Sequence, residues 1–158
     1  MITATVKQLK EELQERPTEE LIQLCLRLSR FKKENKELLT YLLFESDHED
    51  EFIRSIKEEV TLLFDDINRD SFFYIKKSVR KILRLIKKYS RYSLKKETEV
   101  ELLLHFCEEL KDFRPSIKQN VTLTNIYNRQ IAHIKKAIPG LHTDLQYDYT
   151  VILKELLD

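Results

Sequence analysis

Only one glycine, Gly140, and three prolines, Pro17, Pro115 and Pro139, occur among the 158 residues. Sheet-rich folds turn often, and glycine alone averages about 7% of residues. That scarcity excludes a β-rich architecture and implies an all-α chain. Two cysteines, Cys25 and Cys107, are too few for a disulfide scaffold, and their neighbours Leu24, Leu26, Phe106 and Leu110 mark both as small core residues. The longest uncharged apolar-rich run, 38–44, is far short of the roughly 20 residues that span a bilayer. Residues 1–12 have no apolar signal core. A soluble cytoplasmic protein is therefore expected. No glycine-rich phosphate loop, nucleophile elbow or zinc-spaced Cys/His set occurs, so no cofactor or metal and no enzymatic activity is expected.

Acid is missing from one stretch altogether. Net charge is +1, but residues 71–96 hold ten basic residues and no acidic one, whereas residues 45–70 hold three basic and ten acidic. Any attraction to a polyanion must therefore come from a local patch. At 100° per residue, Lys76, Lys77, Arg80, Lys81, Arg84, Lys87, Lys88, Arg91 and Lys95 share one arc of about 140°. Phe73 falls in the middle of that arc, with Tyr74 and Tyr92 beside it. Phe72, Ile75, Val79, Ile82, Leu83, Leu85, Ile86 and Tyr89 fill the opposite side, which is the natural core side of a folded domain. A membrane-lying helix would need that same side for lipid. Two accounts of the stripe remain: a contact surface for an anionic partner, or a face neutralised by the acidic block before it in an antiparallel hairpin.

Apolar spacing divides the chain into about eight helices in one domain, 1–158. The first covers about 5–15, with Thr5 and Gln8 at capping-box spacing, and Pro17 ends it. The second begins at Thr18 and stops within 32–35. The third, about 36–45, carries Leu38, Leu39, Tyr41, Leu42, Leu43 and Phe44 on nearly all sides, which predicts a largely buried element. Asp47 to Asp50 cap the fourth, which runs to about Ile67. The basic helix follows from about Ser71 to Ser90 or slightly beyond. The sixth begins within 93–98, where Thr98 and Glu101 again have capping-box spacing, and ends near Phe113; its polar stripe is Glu97, Glu101, Glu108, Glu109 and Asp112. Residues 114–124 read as a loop. The last two helices take about 125–137 and 143–157, parted by Pro139-Gly140.

Short links favour antiparallel helical neighbours, hence a bundle or a short superhelix of hairpins. Pairings 2/3, 4/5 and 6/7 recur at roughly 35–45 residues. In that respect the chain resembles HEAT-like and armadillo-like α-α superhelices. A tetratricopeptide array is excluded by the absence of tryptophan. The opening 9–22 and the stretch 36–46 also resemble small uncharacterised bacterial helical proteins, a likeness that implies no activity.

Other clusters offer weaker chemistry. The acidic run 47–51 lacks the glycine and alternating ligands of a calcium loop, so it reads as a helix start. Glu101 and His105 lie one turn apart with no second such pair to complete a metal site. Arg129 and His133 share one helical face and resemble the motif of small helical ribonucleases that activate a 2′-hydroxyl. The separation is shorter than in that family, only Gln130, Ile131 and Ala132 lying between. The leading expectation is a non-enzymatic helical protein that binds another macromolecule through the basic face and Phe73. A protein partner ranks first, and RNA or DNA second. A nuclease using Arg129 and His133 is the alternative. Homo-oligomerisation, pairing the acidic stripe of the sixth helix with the basic face of the fifth, is a further expectation.

Overall fold

The computed structural model describes residues 1–158 and contains eight α-helices and no strand. They are α1 (Val6–Gln14), α2 (Thr18–Phe31), α3 (Lys33–Thr40), α4 (Glu49–Asp65), α5 (Phe72–Ser93), α6 (Lys96–Asp112), α7 (Val121–Ala137) and α8 (Thr143–Leu157). A π-helical turn, Tyr41–Glu45, continues α3. Contacts divide the chain into two compact units, Met1–Phe44 and Glu45–Asp158. No helix is long and apolar enough to cross a membrane.

In the first unit the capping box forms as its spacing predicts: the Gln8 amide donates to Thr5 Oγ1 at 3.3 Å, and the Thr5 amide donates to Gln8 Oε1 at 2.9 Å. Pro17 separates α1 from α2, yet Arg16 reaches both sides of the break, 3.5 Å from Glu12 and 3.1 Å from Glu20. The link between α2 and α3 is a single extended residue, Lys32, with φ −141° and ψ 147°. The Asn35 amide group reaches back across that bend to the Leu28 carbonyl at 2.8 Å, and α2 packs on α3.

Burial in this unit departs from expectation. The third helix was expected to be buried, but Tyr41 is the sole buried residue among 1–44, and Leu42, Leu43 and Phe44 are exposed. Cys25, expected in a core, is exposed. Local hydrophobicity states what an element could bury. It does not supply the neighbour to bury it.

The second unit contains that neighbour. Helix α6 packs against α4, α5, α7 and α8, and its consecutive Leu102, Leu103 and Leu104 are all buried, as are Val100, Phe106, Cys107 and Leu110. Burial on every side is the pattern of a central helix. Around it, Val60 and Phe64 of α4, Ile75, Val79 and Ile86 of α5, and Leu123 and Ile134 of α7 are fully covered. The Phe64 ring lies 5.7 Å from Phe106 and 6.2 Å from Phe113. At the α4–α5 turn the Arg69 guanidinium sits 4.4 Å over the Phe113 ring and donates to the Arg114 carbonyl at 2.8 Å.

One helix start and one cap differ from the sequence reading. Helix α7 starts at Val121, inside the stretch expected to be a loop, because the Asn120 side chain accepts from the Leu123 amide at 3.1 Å. A short 3₁₀ turn, Ile117–Gln119, precedes it. Thr98 caps nothing. It is fully buried inside α6 and donates to Glu49 Oε1 at 2.7 Å.

Candidate interaction surface

Helix α5 is long and amphipathic for a simple reason: its apolar residues recur every three or four positions without a proline or glycine to interrupt them. Ile75, Val79, Ile82 and Ile86 occupy the buried side. Each buried aliphatic side chain is worth about 1.5–3 kcal/mol. The helix ends at Leu94, which takes a left-handed conformation with φ 60°, and its amide returns to the Ser90 carbonyl at 3.0 Å.

The opposite side is cationic and open. Lys77, Arg80, Lys81, Arg84, Lys87 and Arg91 are exposed, and Lys76 and Lys88 are half-buried. Neither Lys76 nor any of the six exposed cations forms an ion pair. Lys88 places its ammonium 5.2 Å over the Tyr89 ring. Phe73 is 67% exposed at the N-terminal end of the same face, with Tyr74 beside it at an interplanar angle of 78° and 5.5 Å between centroids. Tyr92, expected to flank the cationic arc, is buried instead.

The acidic helices engage the stripe at Lys95 and leave the six exposed cations of α5 without an ion pair. Glu49 of α4 accepts from the hydroxyls of Ser93 and Thr98, with Lys95 Nζ at 3.7 Å. Glu101 of α6 takes Lys57 Nζ at 2.8 Å and the Tyr149 hydroxyl at 3.1 Å. Glu99 holds His133 Nε2 at 2.7 Å, and Glu109 accepts from Thr61 Oγ1 at 2.9 Å. These bonds join α6 to α4, α7 and α8, so much of the α6 acidic stripe is committed within the unit.

Unrelieved repulsion has a cost. Like charges at i, i+4 destabilise a helix by about 0.2–0.5 kcal/mol per pair, and Lys77/Lys81, Arg80/Arg84 and Lys87/Arg91 are three such pairs. Four buried aliphatic residues outweigh that cost several-fold. The helix stays folded with its charge available.

The remaining clusters are engaged in holding the fold. His105 Nε2 lies 2.9 Å from Thr61 Oγ1 and 3.1 Å from the Lys57 carbonyl, tying α6 to α4. No group of three metal-ligating side chains is assembled. Arg129 is exposed one turn before His133, and no hydrogen bond joins the two; the imidazole is turned to Glu99. Burial, then the adjacent Glu108 charge, pushes the Cys107 thiol up to about 12, which keeps it protonated and inert as a nucleophile. The Tyr149 hydroxyl is raised well above the usual tyrosine range by burial first and then by the Glu101 carboxylate it donates to.

One surface escaped the sequence reading. Leu9, Leu13, Leu24, Leu28 and Phe31 line an open groove of about 760 Å³ along α1 and α2. Their spacing marks them equally as core or as contact residues, so no signal in the pattern could have told the two apart. No family model, no curated protein and no solved structure matches this chain.

Proposed function

We propose that this chain is a non-enzymatic helical interaction protein that binds an acidic protein surface through the cationic face of α5, with Phe73 as its apolar anchor. One observation carries the reading: six exposed cations lie on one side of one helix, and none is paired with a carboxylate. Complementary charge raises association rate and sets orientation more than it sets affinity, and an exposed aromatic among cations supplies the localised affinity of an interface anchor. The edge-to-face pairing of Phe73 with Tyr74 makes a compact apolar knob, suited to a pocket on a folded partner.

The test uses the full chain and a variant with Lys77, Arg80, Arg84 and Arg91 changed to Glu. Retention on heparin and on immobilised polyglutamate is expected to fall sharply in the variant while its circular dichroism is unchanged. Equal retention at every salt concentration would remove α5 as the contact. Single-stranded RNA is the rival occupant of the same face. Binding to an RNA pool, lost in the variant and falling linearly with log salt, would replace the protein partner with nucleic acid. Cleavage of that pool that disappears on His133→Ala would replace both with a nuclease.

A further inference from the structure

A second contact surface lies in the first unit, and its occupant is written in its own charge order. The groove along α1 and α2 has an apolar floor of Leu9, Leu13, Leu24, Leu28 and Phe31. Leu28 is 62% exposed and Phe31 77%. A helix-lined apolar floor of this kind accepts another amphipathic helix. Its rim is acidic at the α1 end, with Glu12 and Glu20, and basic at the other end, with Arg27 and Arg30. Arg16 serves both glutamates at once, which leaves that end net negative, whereas Arg27 and Arg30 form no ion pair. Beyond the rim the polarity continues. Residues 1–20 hold five acidic and three basic residues, and residues 21–37 hold two acidic and five basic.

An occupant must bring an apolar stripe flanked by basic charge where the groove is acidic and by acidic charge where the groove is basic. The α1–α2 segment of a second copy, laid antiparallel, does both. Two-fold symmetry then repeats every contact, so Arg27 and Arg30 of each copy meet Glu12 and Glu20 of the other, and the pairing closes at two. We infer that this protein forms an antiparallel homodimer through the α1–α2 groove, independently of what α5 binds.

Charge reversal tests the arrangement, not merely its stickiness. One full-length variant carries Glu12→Arg and Glu20→Arg, and another carries Arg27→Glu and Arg30→Glu. By sedimentation equilibrium the unaltered chain is expected to shift from monomer to dimer mass with concentration. Each variant alone is expected to associate about tenfold or more weakly, since every cross-rim ion pair becomes a like-charge contact. An equimolar mixture should recover dimers, because a basic rim then faces a net acidic one at both ends. Leu28→Gln, on an exposed position that leaves the helix intact, should weaken association without any charge change. A chain that stays monomeric at all concentrations overturns the inference, as does a mixture that associates no better than its components. Either result would hand the groove to a different protein or to another part of the same chain.

Discussion

Helices α2 and α5 follow the same rule of sequence and meet opposite fates. Both place large apolar residues at three- and four-residue intervals on one side and charge on the other. In α5, Ile75 and Val79 are wholly inaccessible; in α2, no residue is buried. Amphipathicity is thus a demand for a partner, and the two units differ in whether that partner is supplied by the same unit. The second unit satisfies it with α6. The first leaves it open, which is why its apolar side reads as an interface and the apolar side of α5 does not.

The largest effect that should separate the units comes from core truncation. Phe106→Ala is expected to lower stability by about 3–5 kcal/mol, whereas Leu28→Ala, measured in dilute monomer, should stay within about 0.5 kcal/mol; urea denaturation of each full-length variant decides it. A comparable loss from both would mean that the first unit has a core after all.

Alkaline pH is the next lever. Cys107 rises from 9.0 to about 12, and Tyr127 from 10.0 to about 12 through burial first and then the Cys107 and Asp112 charges. Tyr149 moves in the same direction. In each case the folded state holds a proton that the unfolded chain releases sooner. Their contribution is complete below about pH 9 and is lost as pH rises toward about 12. Thermal melts between those values should show the second unit weakening steeply, and a flat profile would contradict the burial of these three groups.

Smaller differences follow from single contacts. Glu101→Ala removes the partner of Lys57 and of the Tyr149 hydroxyl, and about 1 kcal/mol is expected to be lost for these partly exposed bonds. Leu94→Gly should raise stability by about 0.5–1 kcal/mol, because Leu94 is 83% exposed and held at φ 60°, a conformation that costs glycine almost nothing. Urea midpoints report both changes.

How far the sequence could be read varied with the range of the interaction. The eighth helix, 143–157, and the Thr5–Gln8 capping box were legible because their signals lie within one or two turns of chain. So was the cationic arc of α5, down to the exposure of Phe73. The start of α7 was missed because Asn120 caps it through a side-chain bond that a single Asn among polar neighbours does not announce. Residues 38–44 were read as buried and are largely exposed, whereas Leu102 to Leu104 are all buried. Both are runs of leucine and aromatic residues, and nothing local distinguishes them.

The amino-acid order by itself determined helix type, most helix boundaries and which charges share a face, because rise, rotation and capping are set by residues a few positions apart. It also settled that α5 would be cationic on one side. Tertiary structure alone decided which carboxylates would be free to meet those cations. Glu49, Glu99, Glu101 and Glu109 bind residues 34–49 positions distant, and a separation of that length is closed by packing, not by sequence spacing. The same reason explains the groove of α1 and α2. Whether an apolar side becomes core or contact surface depends on which helices come to lie against it.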